Sequence, residues 1–258
     1  MSFEGLPTRK AENEELHERA YESIELLKDA LEDEGGALLG GGFPVEKATC
    51  RLNEEAFGKS IDASEIKRDQ AYVARREEGF EHGNIGEVYG ELLEQVKTVA
   101  LNQIWFQGRF VSMRTTKFDD YHNGVDELII DRETFEPMAA IDTTTNPLGT
   151  KDKKDQILSK VQQGVAVKYG VALENNGIIL TSHSKLPLFV VNIEPEKLVT
   201  FAEHLATDNL TEEDRTIEKE TLESLLQQSE LFQKMTEREL RASYERIRKV
   251  LLELKEKR

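Results

Sequence analysis

Apolar residues recur at helical spacing through the first part of the chain. Positions 16, 20, 24, 27 and 31 form one apolar stripe, which predicts an amphipathic helix over residues 11–34. The glycine-rich run 35–42 follows, and we expect it to end this helix as a hinge, because glycine is unfavourable inside a helix. Two further helices are expected, near residues 63–78 with Asp62 or Ser64 as the N-cap, and over residues 85–106.

After Gly108 the pattern changes to short apolar runs that are typical of β-strands. Strands are expected at residues 110–113, 127–130, 138–145, 178–181 and 186–193, and helices at residues 153–169 and 195–206. The order is therefore helix, three strands, helix, one or two strands, helix. It predicts an α/β (α+β) fold in which a mixed β-sheet is flanked by helices, with helical extensions at both ends.

The chain is expected to be helical from residue 211 to its end. A stripe with coiled-coil spacing consists of Leu240, Tyr244, Ile247, Leu251 and Leu254. It fits packing within the chain, and it also fits a homodimer or a partner helix bound through residues 211–258. Thr236 and Glu239 form a candidate capping box, which predicts two helices rather than one in this tail.

These patterns divide the chain into four regions. They are an acidic helix with its hinge (1–42), a helical connector (43–84), the α/β core (85–207) and a helical tail with coiled-coil spacing (208–258). No apolar run reaches membrane-spanning length, no signal peptide is evident and there is a single cysteine, so we expect a cytoplasmic protein without membrane contact. The net charge of −16 argues against non-specific binding of nucleic acid by the whole chain.

Two aspartates stand out in the core. Asp126 precedes the apolar run 127–130, and Asp142 follows the apolar run 138–141 after a polar connection that contains Pro137. A hairpin that is symmetric about Thr134 places the two aspartates opposite each other. Like charges that face each other across strands are destabilising. The pair therefore needs a cation, a shared proton or a different register.

A hard divalent ion such as Mg²⁺ fits this need, because carboxylate oxygens are its preferred protein ligands. Such an ion activates water and stabilises charge on a phosphodiester. In the plainer interpretation, Asp126 is hydrated at the end of a strand and Asp142 caps a turn.

The segments Gly124-Val125-Asp126 and Ile141-Asp142-Thr143-Thr144, in this order of elements, resemble the PD-(D/E)XK nuclease-like superfamily. They are also similar to uncharacterised bacterial proteins that carry an NGVD…AIDxT pair. The resemblance covers roughly residues 87–205 and implies a restriction-endonuclease-like core. It implies that Asp126 and Asp142 are catalytic ligands of Mg²⁺ (or Mn²⁺), assisted by Glu91 or Glu94 of the preceding helix. Both glutamates equally fit a solvated helix face.

The sequence departs from the family at its lysine. The family places this residue two positions after the second acid, where this chain has Thr144. Some members carry the lysine on the following helix, where Lys153, Lys154 and Lys160 are available, and Lys154 and Lys160 are the catalytic candidates. Each of these lysines equally fits an ordinary solvated charge on a helix. The resulting hypothesis is a metal-dependent nuclease acting on DNA or RNA. The alternative is a catalytically inactive nuclease-like fold that serves as a binding or assembly module through its helical tail.

Overall fold

A computed structural model describes residues 9–78, 84–134, 136–144, 151–174 and 177–257 of the 258-residue chain. The described helices are α1 Arg9–Gly40, α2 Ala63–Glu77, α3 Ile85–Gln103, α4 Lys151–Gln163, α5 Pro195–Ala206, α6 Glu212–Met235 and α7 Arg238–Glu256. The described strands are β1 Phe110–Arg114, β2 Glu127–Asp131, β3 Pro137–Thr143, β4 Val165–Glu174, β5 Gly177–Leu186 and β6 Leu188–Val191. The expected mixture of helices with a mixed sheet is confirmed.

The main sheet has four strands in the order β1-β2-β3-β6. Strands β1, β2 and β3 are antiparallel neighbours, whereas β3 and β6 are parallel. A parallel pair needs a long crossover, and this crossover consists of α4 followed by the separate two-stranded sheet β4-β5. Helix α3 packs on the main sheet, and α1 packs on α3 and α5.

The predicted register of the acidic hairpin is confirmed. Glu127 pairs with Ile141 and Leu128 with Ala140, the pairs expected for a hairpin that is symmetric about Thr134. A bulge between Ile129 and Ile130 then shifts the ladder towards the turn. Asp126 lies immediately before β2, and its backbone N–H donates to the Ile141 carbonyl at 2.8 Å.

The expected hinge at residues 35–42 is wrong over most of its length, because α1 continues to Gly40. The glycines do not break the helix but allow another segment of the backbone to lie close to it. A Cβ atom on Gly35 would lie 2.0 Å from the Lys47 carbonyl oxygen, so the returning chain passes against a helix surface that only glycine leaves open. Gly42 alone adopts the left-handed backbone, with φ of 88°, just after the helix ends.

The expected helix over residues 153–169 is wrong over its last six residues. Helix α4 ends at Gln163, and β4 begins at Val165. Gly164 separates them with φ of 75°, and the Lys185 backbone lies 2.6 Å from the place of its missing Cβ. Val165, Val167, Tyr169 and Val171 are all buried, so the segment follows the two-residue period of a strand.

The tail forms two helices, as expected, but the capping box lies elsewhere. Thr211 and Asp214 form it at the start of α6, whereas no side chain caps α7. All five residues of the stripe Leu240–Leu254 are buried within the chain's own fold. The stripe therefore packs internally, and a partner helix would have to displace α7 to reach it.

The α6–α7 pair covers the edge of the main sheet at β6. The Tyr244 hydroxyl accepts from the Leu188 N–H at 3.1 Å and donates to the Leu188 carbonyl at 3.0 Å. The Gln228 side-chain amide does the same at Val190, at 2.9 and 2.8 Å. Side chains thus satisfy main-chain groups that another strand would otherwise pair with.

Candidate metal centre

Three carboxylates from three separate elements come together beside the main sheet. Glu94 lies on α3, Asp120 lies on a π-helical turn formed by Asp119–Asn123, and Asp126 lies just before β2. One carboxylate oxygen of each lies within 4.8 Å of the others. We call these three residues the acidic triad.

Main-chain contacts fix the position of Asp126. Its Oδ2 accepts a hydrogen bond of 2.5 Å from the backbone N–H of Thr143, at the end of β3. The hairpin register therefore sets where this carboxylate lies. Asp126 is buried, and the ladder continues directly from it into β2.

A neighbouring aspartate holds the turn that carries Asp120. The buried Asp119 carboxylate accepts from the backbone N–H groups of Lys168 and Tyr169, at 2.7 and 3.0 Å, and from Asn123 Nδ2 at 2.6 Å. Burial raises the pKa of Asp119, although these hydrogen bonds oppose the shift. Strand β4 thereby fixes the turn from a position about 50 residues along the chain.

The turn ends at Gly124, whose φ of 61° is left-handed. Its N–H donates to the Asp120 carbonyl at 2.9 Å, and its own carbonyl accepts from Lys160 Nζ at 3.2 Å. The left-handed backbone favours glycine at this position, and a Cβ atom there would lie 1.9 Å from Lys160 Nζ, so the flexible lysine side chain would have to move. Lys160 therefore contacts the backbone between two members of the acidic triad.

Two arginines lie among the carboxylates. Arg114 donates to both oxygens of Glu91, at 3.1 and 3.0 Å, and also to Glu94. Arg51 lies 3.3 Å from Asp120 and 3.5 Å from Glu94. Because Arg114 is almost fully buried, its charge depends on these acids for compensation.

The negative charge exceeds the positive charge at this site. Burial raises the pKa of Glu94, and Asp126 and Glu91 add to the increase while Arg114 and Arg51 oppose it. Burial also raises the pKa of Asp120 to about 7, together with the charges of Glu94 and Asp126. Without a further cation, the site therefore holds a proton near neutral pH.

Glu91 differs from the acidic triad. Burial alone would raise its pKa, but the paired Arg114 outweighs burial and lowers the pKa to about 2. Glu91 is therefore an ionised partner of Arg114 and lies outside the group of three close carboxylates. Of the two helix glutamates proposed from the sequence, Glu94 is the one that meets Asp126.

The other sequence-predicted residues lie around the acidic triad. Asp142 is half-buried on β3, paired with Val190 of β6, and does not belong to the group of three, so its role as a ligand stays a prediction. Lys154 is exposed on α4. The side chain of Lys153 lies outside the described part of the structure.

Sequence reasoning missed Asp120 and a buried lysine, Lys97. The Lys97 ammonium donates to Thr143 Oγ1 and lies 3.7 Å from Glu127 Oε2, with both charged side chains fully buried. Glu127 also accepts from Thr98 at 2.5 Å and Ser112 at 2.9 Å. The available signal was spacing, since Lys97 lies three residues after Glu94, nearly one helical turn.

Lys97 is connected to the acidic triad through one residue. The Thr143 hydroxyl oxygen accepts a hydrogen bond from the Lys97 ammonium, and the Thr143 backbone N–H donates to the Asp126 carboxylate. Thr144, which occupies the position of the family's lysine, is buried and donates its N–H to the Val191 carbonyl at 3.1 Å. The buried ammonium group beside this end of β3 is therefore that of Lys97 on α3, and not that of a residue at position 144.

No family model, curated protein or solved structure matches the chain significantly. Among the described helices, none combines the length and the apolar character that crossing a bilayer requires.

Proposed function

We propose that this protein is a divalent-metal-dependent nuclease-like hydrolase of phosphodiester bonds in DNA or RNA. Glu94, Asp120 and Asp126 would hold Mg²⁺ or Mn²⁺. The observation that carries the proposal is the charge of the half-buried site, where four carboxylates meet only two guanidinium groups. A divalent cation supplies the two positive charges that balance them.

The order of elements supports the proposal. A helix, three antiparallel strands, a crossover that begins with a helix and a parallel fourth strand of the main sheet follow in the order that the PD-(D/E)XK resemblance implies, and the separate sheet β4-β5 is an addition within the crossover. Asp126 matches the family's first acid, and Glu94 matches its helix acid. Asp120 would be an additional ligand, supplied by the π-helical turn.

The donor set fits a hard cation. All three candidate ligands are carboxylates, and Mg²⁺ binds proteins through one or a few such groups while it keeps several waters. Arg114 offers a further donor, because its buried Nε–H has no acceptor among the described residues. Nε–H lies on the same edge of the guanidinium as Nη2, which contacts Glu94. An oxygen ligand beside Glu94 would therefore meet this N–H.

When bound, the ion would lower the pKa of a coordinated water and offset the negative charge that develops on the phosphate oxygens. The chain's own residues would keep the ligands in place. The backbone N–H of Thr143 orients Asp126. Lys97 in turn donates to the Thr143 hydroxyl and so helps to hold Thr143 in place. Because Lys97 is fully buried and paired with Glu127, it would act as a positioning residue rather than touch the substrate.

The test combines metal binding with cleavage. Calorimetric titration with Mg²⁺ and Mn²⁺, and digestion of mixed DNA and RNA substrates, would compare wild type with Asp126→Asn. We expect the variant to lose at least tenfold in metal affinity and to lose cleavage. Asp155→Asn removes an exposed carboxylate on α4 and serves as the matched control, with behaviour like wild type. Equal binding and cutting by wild type and Asp126→Asn would reject the proposal.

Asp142→Asn tests whether Asp142 is a metal ligand, or whether the ion is bound by the acidic triad alone. A loss as large as that of Asp126→Asn would make Asp142 a ligand, as the family resemblance implies. Unchanged metal affinity in Asp142→Asn, with a loss in Asp120→Asn, would assign the ion to the acidic triad alone.

A second candidate function is a nuclease-like fold without catalysis that serves as a binding or assembly module. The ion pairs of Arg51 and Arg114 favour it, because they already tie α3, β1 and the π-helical turn together. A groove of about 400 Å³ that reaches Arg51 is lined by Glu46, Glu54, Glu55 and Glu77 with Lys117, a poor surface for phosphates. Absence of both divalent-ion stabilisation and cleavage would support this candidate.

A further inference from the structure

Strand β5 lies at the outside of the fold. It pairs with β4 along one edge, and none of its residues from Gly177 to Lys185 is buried. Outside the β4–β5 ladder, no backbone hydrogen bond joins residues 177–185 to the rest of the described chain. Alternate N–H and C=O groups along the second edge of β5 therefore have no main-chain partner among the residues that the structure describes.

Between Gly177 and Thr181 this edge lacks the usual protection against pairing. Natural edge strands are commonly short, bulged, or interrupted by proline or charged residues, because an open edge is a template for another strand. Strand β5 has ten residues, and the run from Gly177 to Ser184 contains no proline, aspartate, glutamate, lysine or arginine. Its ladder with β4 is regular from Gly177 to Thr181, and the register shifts lie beyond that point.

The absence of charge on this run is unusual for this chain. A third of all residues are charged, and the net charge is −16, so most surfaces of two copies repel each other. His183 adds little charge, because the partial burial of its ring beside Gly170 lowers its pKa. Two copies of β5 can therefore meet without opposing like charges.

We propose that β5 is the interface of a homodimer, in which the β5 strands of two copies pair antiparallel about a two-fold axis. Such pairing joins the two β4-β5 sheets into one four-stranded sheet and satisfies the open main-chain groups. An uncharged run is complementary to itself, whereas it offers a different protein no charge pattern by which to be selected. The C-terminal stripe is excluded from this role, because it is buried within the chain.

The test measures the mass of the full chain in solution and places a charge on each competing surface. Ile179→Lys introduces a charge in the middle of β5 at a side chain that is 38% exposed. Leu231→Lys introduces the same charge on α6, at a large apolar side chain that is 54% exposed, and serves as the matched control for a tail-mediated dimer. Sedimentation velocity over a range of concentrations would give the dissociation constant of each protein.

We expect wild type and Leu231→Lys to sediment at twice the 29.4 kDa chain mass. Ile179→Lys should raise the dissociation constant at least tenfold. Amide hydrogen exchange should slow in residues 177–185 as wild type is concentrated, and not in Ile179→Lys. A wild type that stays monomeric at every concentration would overturn the proposal. So would a dimer that Leu231→Lys disrupts and Ile179→Lys does not.

Discussion

The charge on the acidic triad predicts an unusual response to Asp120→Asn. Burial, together with Glu94 and Asp126, raises the pKa of Asp120 from 3.8 to about 7. Between these values the folded protein holds a proton that the unfolded chain has lost. The stability of wild type therefore falls as the pH rises through this window, because the ionised form is disfavoured in the fold.

The size of the effect follows from the shift. A group whose pKa is about 7 in the folded protein costs about 3 kcal/mol of stability between pH 5 and pH 8. Glu94 competes for the same proton, so we expect a measured loss of about 1–3 kcal/mol. Asparagine keeps the shape of the side chain and cannot ionise. Between pH 5 and pH 8, the free energy of unfolding of Asp120→Asn should therefore fall by about 1–3 kcal/mol less than that of wild type. At pH 8 the variant should be more stable than wild type.

Urea unfolding at pH 5 and pH 8 in the presence of EDTA measures this difference, with Asp155→Asn as the exposed control on α4. Addition of Mg²⁺ at a hundred times its dissociation constant should then stabilise wild type by about 2.7 kcal/mol at pH 8. The same addition should stabilise Asp120→Asn much less. Parallel pH profiles for wild type and Asp120→Asn would refute the electrostatic reasoning.

Two further predictions concern stability alone. Tyr244→Phe leaves the N–H and C=O of Leu188 without their partner and should cost about 1–3 kcal/mol in urea unfolding, whereas Tyr21→Phe, at a 44% exposed position, should cost almost nothing. Gln107→Gly should raise the melting temperature, because Gln107 is exposed with φ of 56° and glycine gains about 1 kcal/mol there. Gln70→Gly, within α2, should lower the melting temperature, because glycine is unfavourable inside a helix. Equal shifts in the melting temperature of the two variants would contradict the assignment of strain to Gln107.

Local patterns predicted the elements that place two of the three carboxylates. The apolar runs on either side of the turn set the hairpin register, so the surroundings of Asp126 followed from the symmetry about Thr134. Glu94 was one of the two helix glutamates that the family resemblance implied, and the helical spacing alone left it equally suited to a solvated helix face. These features depend on periodicity within short segments, which the sequence displays directly.

Asp120 and Lys97 depend on contacts between distant segments. Asp120 reaches the site because Asp119 is bonded to the backbone of β4, in a segment whose apolar spacing had predicted a helix. Lys97 is buried because Glu127 and Thr143 contact it in the core, and Thr98 in turn donates to Glu127. The three-residue spacing from Glu94 indicates a shared side of α3, but it does not predict the contacts with the two strands. Burial of a charged residue is decided by the tertiary partners that compensate it.

The side-chain hydrogen bonds along β6 affect how the C-terminal helices can be studied. Deletion of α6 and α7 would remove Gln228 and Tyr244 and leave the main-chain groups of Val190 and Leu188 open to the solvent. It would also uncover the apolar sheet surface beneath those helices. A shortened chain should therefore aggregate through a newly created edge. Point substitutions on intact protein are the appropriate means of assigning a role to this region.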